Sequence, residues 1–194
     1  MVSGTPLALT VLSLLQYKPM HPYGMQRVIK QWGKDQVVNV GQRSSLYRTI
    51  ERLAGGGLIA VRETERDQQY PERTVYEITA SGRAAAREWL LEMLRTPRQE
   101  YPQFPAALSH LLMLPVPEIV SALGERLETV SGTLRDMDAN LAAQASDGLP
   151  RISMLEFEYL REMTAAEVAW LRGVVGDLEA GRLAWTAEEL ERHA

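Results

Sequence analysis

The sequence predicts a mainly α-helical protein with one small β-hairpin, in two parts: an N-terminal unit over residues 1–96 and a C-terminal unit of long helices over residues 97–194. Three observations predict this. Apolar residues keep a period near 3.6 along most of the chain, and that period gives way to a strand-like one only between Leu58 and Ile78. Half of the ten prolines fall within residues 97–117, where a boundary is therefore placed.

With 194 residues the chain can bury a substantial core. It is 45% hydrophobic and 24% charged, as an ordinary globular protein is. The absence of cysteine excludes disulfides and thiolate metal sites and gives no sign of secretion. The opening "MVSGTPLALTVLSLLQYKP" has an apolar run without a basic flank or a cleavage site, and it is too short to span a bilayer. The expectation is a cytoplasmic protein with no membrane partner.

Net charge is −4, which argues against a polyanion partner until it is divided. Residues 1–96 hold thirteen Lys and Arg against nine Asp and Glu, a net of +4; residues 97–194 hold eight against sixteen, a net of −8. Two modules with different partners fit that asymmetry, and a basic module binds polyanions if its charge lies on one face. By itself, +4 over 96 residues is unexceptional.

Thr5-Pro6 suits a helix cap followed by proline at the first helical position, and Leu7, Val11, Leu14 and Leu15 then recur at helical spacing up to Pro19. His21-Pro22 repeats the signature. In the second helix Met25, Val28, Ile29 and Trp32 form the expected core stripe, while Gln26, Arg27, Lys30 and Lys34 point elsewhere. "QRSSLYRTIERLAGGGLI" reads as a third helix whose Leu46, Ile50 and Leu53 face the core. Arg43, Ser44, Tyr47, Arg48, Glu51 and Arg52 are left on its flanks and outer face, and Gly55 to Gly57 offer a left-handed end. "LIAVRETE" and "TVYEI" are rich in β-branched residues and flank the polar "RDQQYPER", a hairpin with a long charged tip. Thr79 caps a fourth helix with Ala86, Trp89, Leu90, Met93 and Leu94 as its apolar positions, ending near Arg95 before Thr96-Pro97.

Beyond the proline-rich boundary, which contains one short apolar helix over Ala106 to Leu114, two long helices are expected. In the first, Val116, Val120, Leu123, Leu127, Val130, Leu134, Met137 and Leu141 step by fours and threes, a heptad seam that suggests coiled-coil packing. "SDGLP" is the turn. In the second, Ile152, Leu155, Tyr159, Met163, Ala166, Trp170, Val174 and Leu178 form a broader stripe that Leu160 and Leu171 widen.

Three helices, a hairpin and a helix within 100 residues is the order of a winged helix-turn-helix. In that arrangement two helices brace a third so that its outer face enters the ~12 Å major groove. The hairpin tip then lies beside the duplex, with Arg66 and Arg73 placed for phosphate or the minor groove. The C-terminal unit is read as a dimerisation domain: one helix makes too few base contacts to find a site alone, and a second copy doubles them on a palindrome. The seam residues Val120, Leu123, Leu127, Val130, Leu134, Met137 and Leu141 are the candidates for holding a homodimer together.

Three blocks, "LSLLQYKPMHPYGMQRV", "SSLYRTIERLAGGGLI" and "RTVYEITASGR", resemble in order and spacing the PadR-like transcriptional regulators, in their longer C-terminal form. The Ser-Leu-Tyr triplet of the third helix and the Tyr-x-x-Thr-x-x-Gly running into the fourth are the most specific marks. The second half matches in architecture more than in motif. Two positions depart from the family: Gly55 to Gly57 replace a glutamate-rich turn, and Pro22 stands where glycine is frequent. The resemblance implies a homodimeric repressor that binds a palindromic operator in double-stranded DNA, released by a small aromatic or hydrophobic effector.

On this reading Arg43, Ser44 and Ser45 are placed for base edges or phosphate, with Arg48 one turn on. Arg52 is a phosphate contact or a plain surface charge. Tyr47 contacts DNA, as the resemblance places it, or packs on the second helix. Tyr23, beside His21, touches the DNA backbone or serves packing and capping. Trp89 is the effector-pocket candidate; Trp32, Trp170, Tyr101, Phe104 and His110 are read as packing. No metal or cofactor is expected, since His21, His110 and His193 are isolated and no phosphate-binding or nucleophile motif occurs, and an enzyme is not expected. The rival reading is a winged-helix protein-interaction module without specific DNA binding.

Overall fold

In a computed structural model the chain is described over residues 2–39, 43–65 and 73–183, and it divides into two compact units, Met1–Gln99 and Glu100–Ala194. The hairpin tip with Arg66 and Tyr70, and the tail with Trp185, lie outside the described residues. The first unit contains α1 (Pro6–Tyr17), α2 (Pro22–Gln31), α3 (Arg43–Gly55), the strands β1 (Ile59–Glu65) and β2 (Arg73–Ile78), and α4 (Ala80–Arg95).

Helix α1 is the centre of this unit. Its Thr5 cap accepts from the Ala8 amide at 3.2 Å, and it buries Leu7, Ala8, Val11, Leu12, Leu14 and Leu15. Apolar on nearly every side, it packs against α3, α4 and β2. The chain leaving it adds an edge to the hairpin: Met20 and Tyr76 exchange backbone hydrogen bonds of 3.0 Å each. Helix α2 contributes Met25 and Ile29, α3 contributes Leu46, Ile50 and Leu53, and Ile59, Ile78 and Ala86 complete the core.

Trp32, expected in the core stripe of α2, is 49% exposed. The helix stops at Gln31, and Gly33 then turns the chain with φ +65°, so Trp32 stands past the last packed turn, where its ring meets that of Tyr17 edge-to-face at 6.2 Å.

The end of α3 follows from its glycines. Gly57 takes φ +70°, a conformation that side chains disfavour, and this lets its amide bond to the Ala54 carbonyl at 2.9 Å and the Leu58 amide to the Leu53 carbonyl at 3.0 Å. That pair of bonds closes the helix and turns the chain into β1. The strands pair antiparallel from Ile59↔Ile78 outward, with Arg62 as an extra residue in β1.

Helix α4 is tied back to the same turn. The Thr79 hydroxyl caps α4 by accepting from the Gly82 amide at 3.0 Å and reaches the Gly57 carbonyl at 2.8 Å, and Ser81 donates to that carbonyl at 3.0 Å. At Gly82 there is no room for a side chain, because a Cβ there would collide with the Leu58 carbonyl.

The second unit contains α5 (Gln103–Leu108), α6 (Val116–Ser146) and α7 (Leu155–Glu179). The expected helix over Ala106 to Leu114 is instead α5 followed by a 3₁₀ turn at Leu111–Met113. Pro105 sits in the first turn of α5, where no amide is needed, and the Ser109 hydroxyl bonds back to the Ala106 carbonyl at 2.7 Å as the helix ends. Helix α7 begins at Leu155 rather than Ile152, which lies exposed in a 3₁₀ turn. Helices α6 and α7 run antiparallel, since Arg126 pairs with Glu167 and Asp138 with Arg161. Ile119, Leu123, Leu171 and Leu178 form the core between them.

Gly82→Ala should lower the unfolding midpoint of the first unit markedly, by about 1–3 kcal/mol of overpacking strain. Gly55→Ala, where a Cβ meets nothing within 4 Å, should be neutral or stabilise by up to about 1 kcal/mol. Urea unfolding followed by circular dichroism checks the contrast.

Candidate nucleic-acid interface

Helix α3 is divided lengthwise. Leu46, Thr49, Ile50 and Leu53 are buried, and Thr49 satisfies its hydroxyl on the Ser45 carbonyl at 2.9 Å. Ser44, Tyr47, Arg48 and Glu51 are exposed at i, i+3, i+4 and i+7 on the opposite side. Ser45 is half-buried between the two rows. Tyr47 is 47% exposed. Arg48 gives its Nε to the Ser44 carbonyl at 3.3 Å, one donor of five, and its side chain stays exposed. Arg43 is the first residue of α3, but its side chain lies outside what is described. Arg52 is exposed yet turned back: its guanidinium reaches the Thr5 hydroxyl, the cap of α1, at 3.5 Å.

Two further basic positions join this face in kind. Tyr23, Arg27 and Lys30 are all exposed on α2 and follow one another at four and three residues. Arg27 and Lys30 were passed over in the sequence because they occupy the polar side of an amphipathic helix; the signal was their spacing from Tyr23. Burial lowers the Lys34 ammonium from its ordinary value. His21 serves as a cap: its Nδ1 accepts from the Gly24 amide at 2.9 Å while its ring stacks on Tyr23, 6.1 Å away and 9° from parallel.

On the hairpin, Val61, Arg62 and Glu63 are exposed, with Arg62 beside Glu63 at 3.9 Å. Arg62 is a basic wing residue that sequence reasoning missed, since nothing in the pattern marks a bulge there. Arg73 begins β2 opposite Glu65, with its side chain outside what is described. Trp89 is half-buried and packs on the core of its own unit and against Gly4.

In the second unit the expected dimer seam is partly consumed inside the chain. Leu123 is buried between α6 and α7, and Val120 and Leu127 pack on the same cluster. Val130, Leu134, Met137 and Leu141 are half-buried. An exposed apolar row lies on α7: Leu155, Tyr159, Met163 and Trp170, with Ala166 between, at four, four, three and four residues. Trp170, read from the sequence as packing, is 45% exposed, touching Phe104 edge-on at 6.1 Å. The Phe104 face carries the Arg126 guanidinium at 3.6 Å, which Glu167 holds through a 2.7 Å bond. Tyr101 and His110 are exposed rather than packed.

Three helices, a two-stranded wing and a bracing fourth helix define a winged helix-turn-helix. Residues 11–88 match the family model described as the transcriptional regulator PadR-like family, and the first unit is a winged helix of that type. No curated protein matches the chain. Among solved structures, Bacillus subtilis PadR in complex with operator DNA superposes with a TM-score of 0.75 at 18% identity, covering 90% of this chain and 99% of that one. The same protein in complex with p-coumaric acid gives 0.69 at 16% identity, over 91% and 99%. The Vibrio cholerae virulence activator AphA gives 0.64 at 19% identity, over 90% and 98%. At such identities these likenesses establish the fold across both units. Among the described residues no helix is long and apolar enough to cross a membrane.

Tyr47→Ala should leave stability within about 0.5 kcal/mol of the unaltered protein, as an exposed position does. Leu46→Ala should cost about 2–5 kcal/mol. Equal losses in chemical denaturation would mean that the tyrosine belongs to the core.

Proposed function

We propose that the chain is a sequence-specific DNA-binding transcriptional regulator that acts as a homodimer. The observation that carries this is the exposed row Ser44, Tyr47 and Arg48, opposite the buried row Leu46, Ile50 and Leu53. A helix held in the core on one side offers hydroxyl, phenol and guanidinium groups on the other. Hydroxyls and guanidinium read base edges or phosphate, and guanidinium pairs best with guanine. Arg43 and Ser45 extend the row at its first turn. Tyr23, Arg27 and Lys30 on α2, with Arg62, Arg66 and Arg73 on the wing, neutralise the flanking phosphates. Arg52, drawn toward Thr5, is the weakest member.

Dimerisation supplies the second half-site. The α7 row Leu155, Tyr159, Met163 and Trp170 is the surface for a second copy, joined by the far part of the α6 seam, Val130 to Leu141. Repression, by occupying a palindromic operator in the cytoplasm, is the expected sense. The family resemblance supports it, although AphA is described as an activator. An aromatic acid is the effector class, by analogy with the p-coumaric acid held by PadR. Such a ligand would act by changing the spacing of the two α3 helices.

Selection from a random duplex library should return a palindrome with half-sites about one helical turn apart or a multiple of it. Binding to it should weaken steeply with salt, each neutralised phosphate contributing about −0.9 to the log–log slope. A flat salt response would point to a protein-binding module instead. Replacing Arg43 and Arg48 together by alanine should reduce specific affinity by about a hundredfold or more and leave the fold intact. Tyr159→Glu with Met163→Glu should convert the dimer to a monomer by light scattering; an unchanged mass would relocate the interface.

A further inference from the structure

Residues 2–5 run across the first unit without forming helix or strand, and three of them make specific contacts. Val2 is half-buried on the core and fills the space above Gly56, where an added Cβ would collide with its methyl group. Gly4 lies on the indole of Trp89: a Cβ there would be 2.5 Å from Cγ, 2.7 Å from Cδ2 and 2.8 Å from Cδ1. Thr5, besides capping α1, receives Arg52 at 3.5 Å. The segment therefore touches the C-terminal end of α3 at two points and α4 at one. Each glycine in these contacts is small for the sake of its partner. Gly56 makes room for Val2, and Gly4 makes room for Trp89. This also gives a reason for part of the unusual Gly55 to Gly57 turn that Gly57's backbone conformation does not explain.

We propose that residues 2–5 are a strap that positions the DNA-reading helix, with Val2 and Thr5 as positioning residues that touch no DNA; the inference rests on the DNA-binding reading above. The strap fixes the end of α3 where the chain turns into the wing, so a small tilt there is magnified at Ser44, three turns away.

A size exchange tests this. Gly56→Ala should expel Val2 and lower affinity for the selected duplex by about tenfold, the loss of roughly one good base contact. Affinity for random-sequence duplex, set by phosphates, should change less than about twofold. Because a Cβ at Gly56 also comes within 3.3 Å of the Arg52 carbonyl, the rescue is decisive: Val2→Gly combined with Gly56→Ala should recover most of the specific affinity. Gly4→Ala, in a chain whose other tryptophans are phenylalanine, should shift Trp89 emission to the red and lower specific affinity in the same way. An unchanged specific-to-nonspecific ratio, an equal loss on both duplexes, or failure of the double substitution to recover would overturn the strap. If the unaltered chain selects no duplex at all, the DNA-binding reading falls first, and the unmoved Trp89 emission of Gly4→Ala would separately refute the packing of the strap.

Discussion

Leu46, Ile50 and Leu53 lie together in the core that α1 organises, and this row decides where every other side chain of α3 points. Burying each contributes about 1.5–3 kcal/mol. Turning the helix by one residue's rotation, about 100°, would draw all three toward water at once. The orientation of Ser44, Tyr47 and Arg48 is thus a consequence of the core and not of any contact they make themselves. Thr49, on the buried side, is accommodated only because its hydroxyl finds the Ser45 carbonyl within the same helix.

The ends of α3 inherit that constraint. Once Leu53 is fixed, the Leu58 amide must find its carbonyl, and Gly57 alone in that turn takes the left-handed conformation that permits it. The hydroxyls of Thr79 and Ser81 then bond the Gly57 carbonyl and bring the first turn of α4 against the Gly57–Leu58 turn. Helix α3, the wing and α4 consequently share one joint of a few residues.

Much of the first unit was legible in the sequence because its signals are short-range. The caps Thr5, His21 and Thr79, the proline starts and the i, i+4, i+7 row of α3 each depend on a few neighbouring residues, and each is found where expected. Trp32 was misread because periodicity does not say where a helix stops, and Gly33 ends α2 one residue too early to bury it. The second unit was harder for a different reason. Both long helices carry apolar stripes wider than one partner needs, and spacing alone does not tell which face is spent inside the chain. Ile119, absent from the heptad, is buried, whereas Tyr159 and Met163 on the expected stripe are exposed. Arg62 carries no pattern in the sequence until its neighbours' exposure is known, whereas Arg27 and Lys30 are marked by their spacing from Tyr23.

The central claim is that the outward row of α3 is the DNA-reading surface. Amide and side-chain chemical shifts of the full-length protein, recorded as the duplex selected from a random library is added at moderate salt, test it most directly. The account predicts that the largest changes fall on Ser44, Ser45, Tyr47 and Arg48, with smaller ones at Tyr23, Arg27, Lys30 and Arg62, while Leu46, Ile50 and Leu53 move little. Changes concentrated on the α7 row of Tyr159, Met163 and Trp170, or spread without preference for α3, would contradict it.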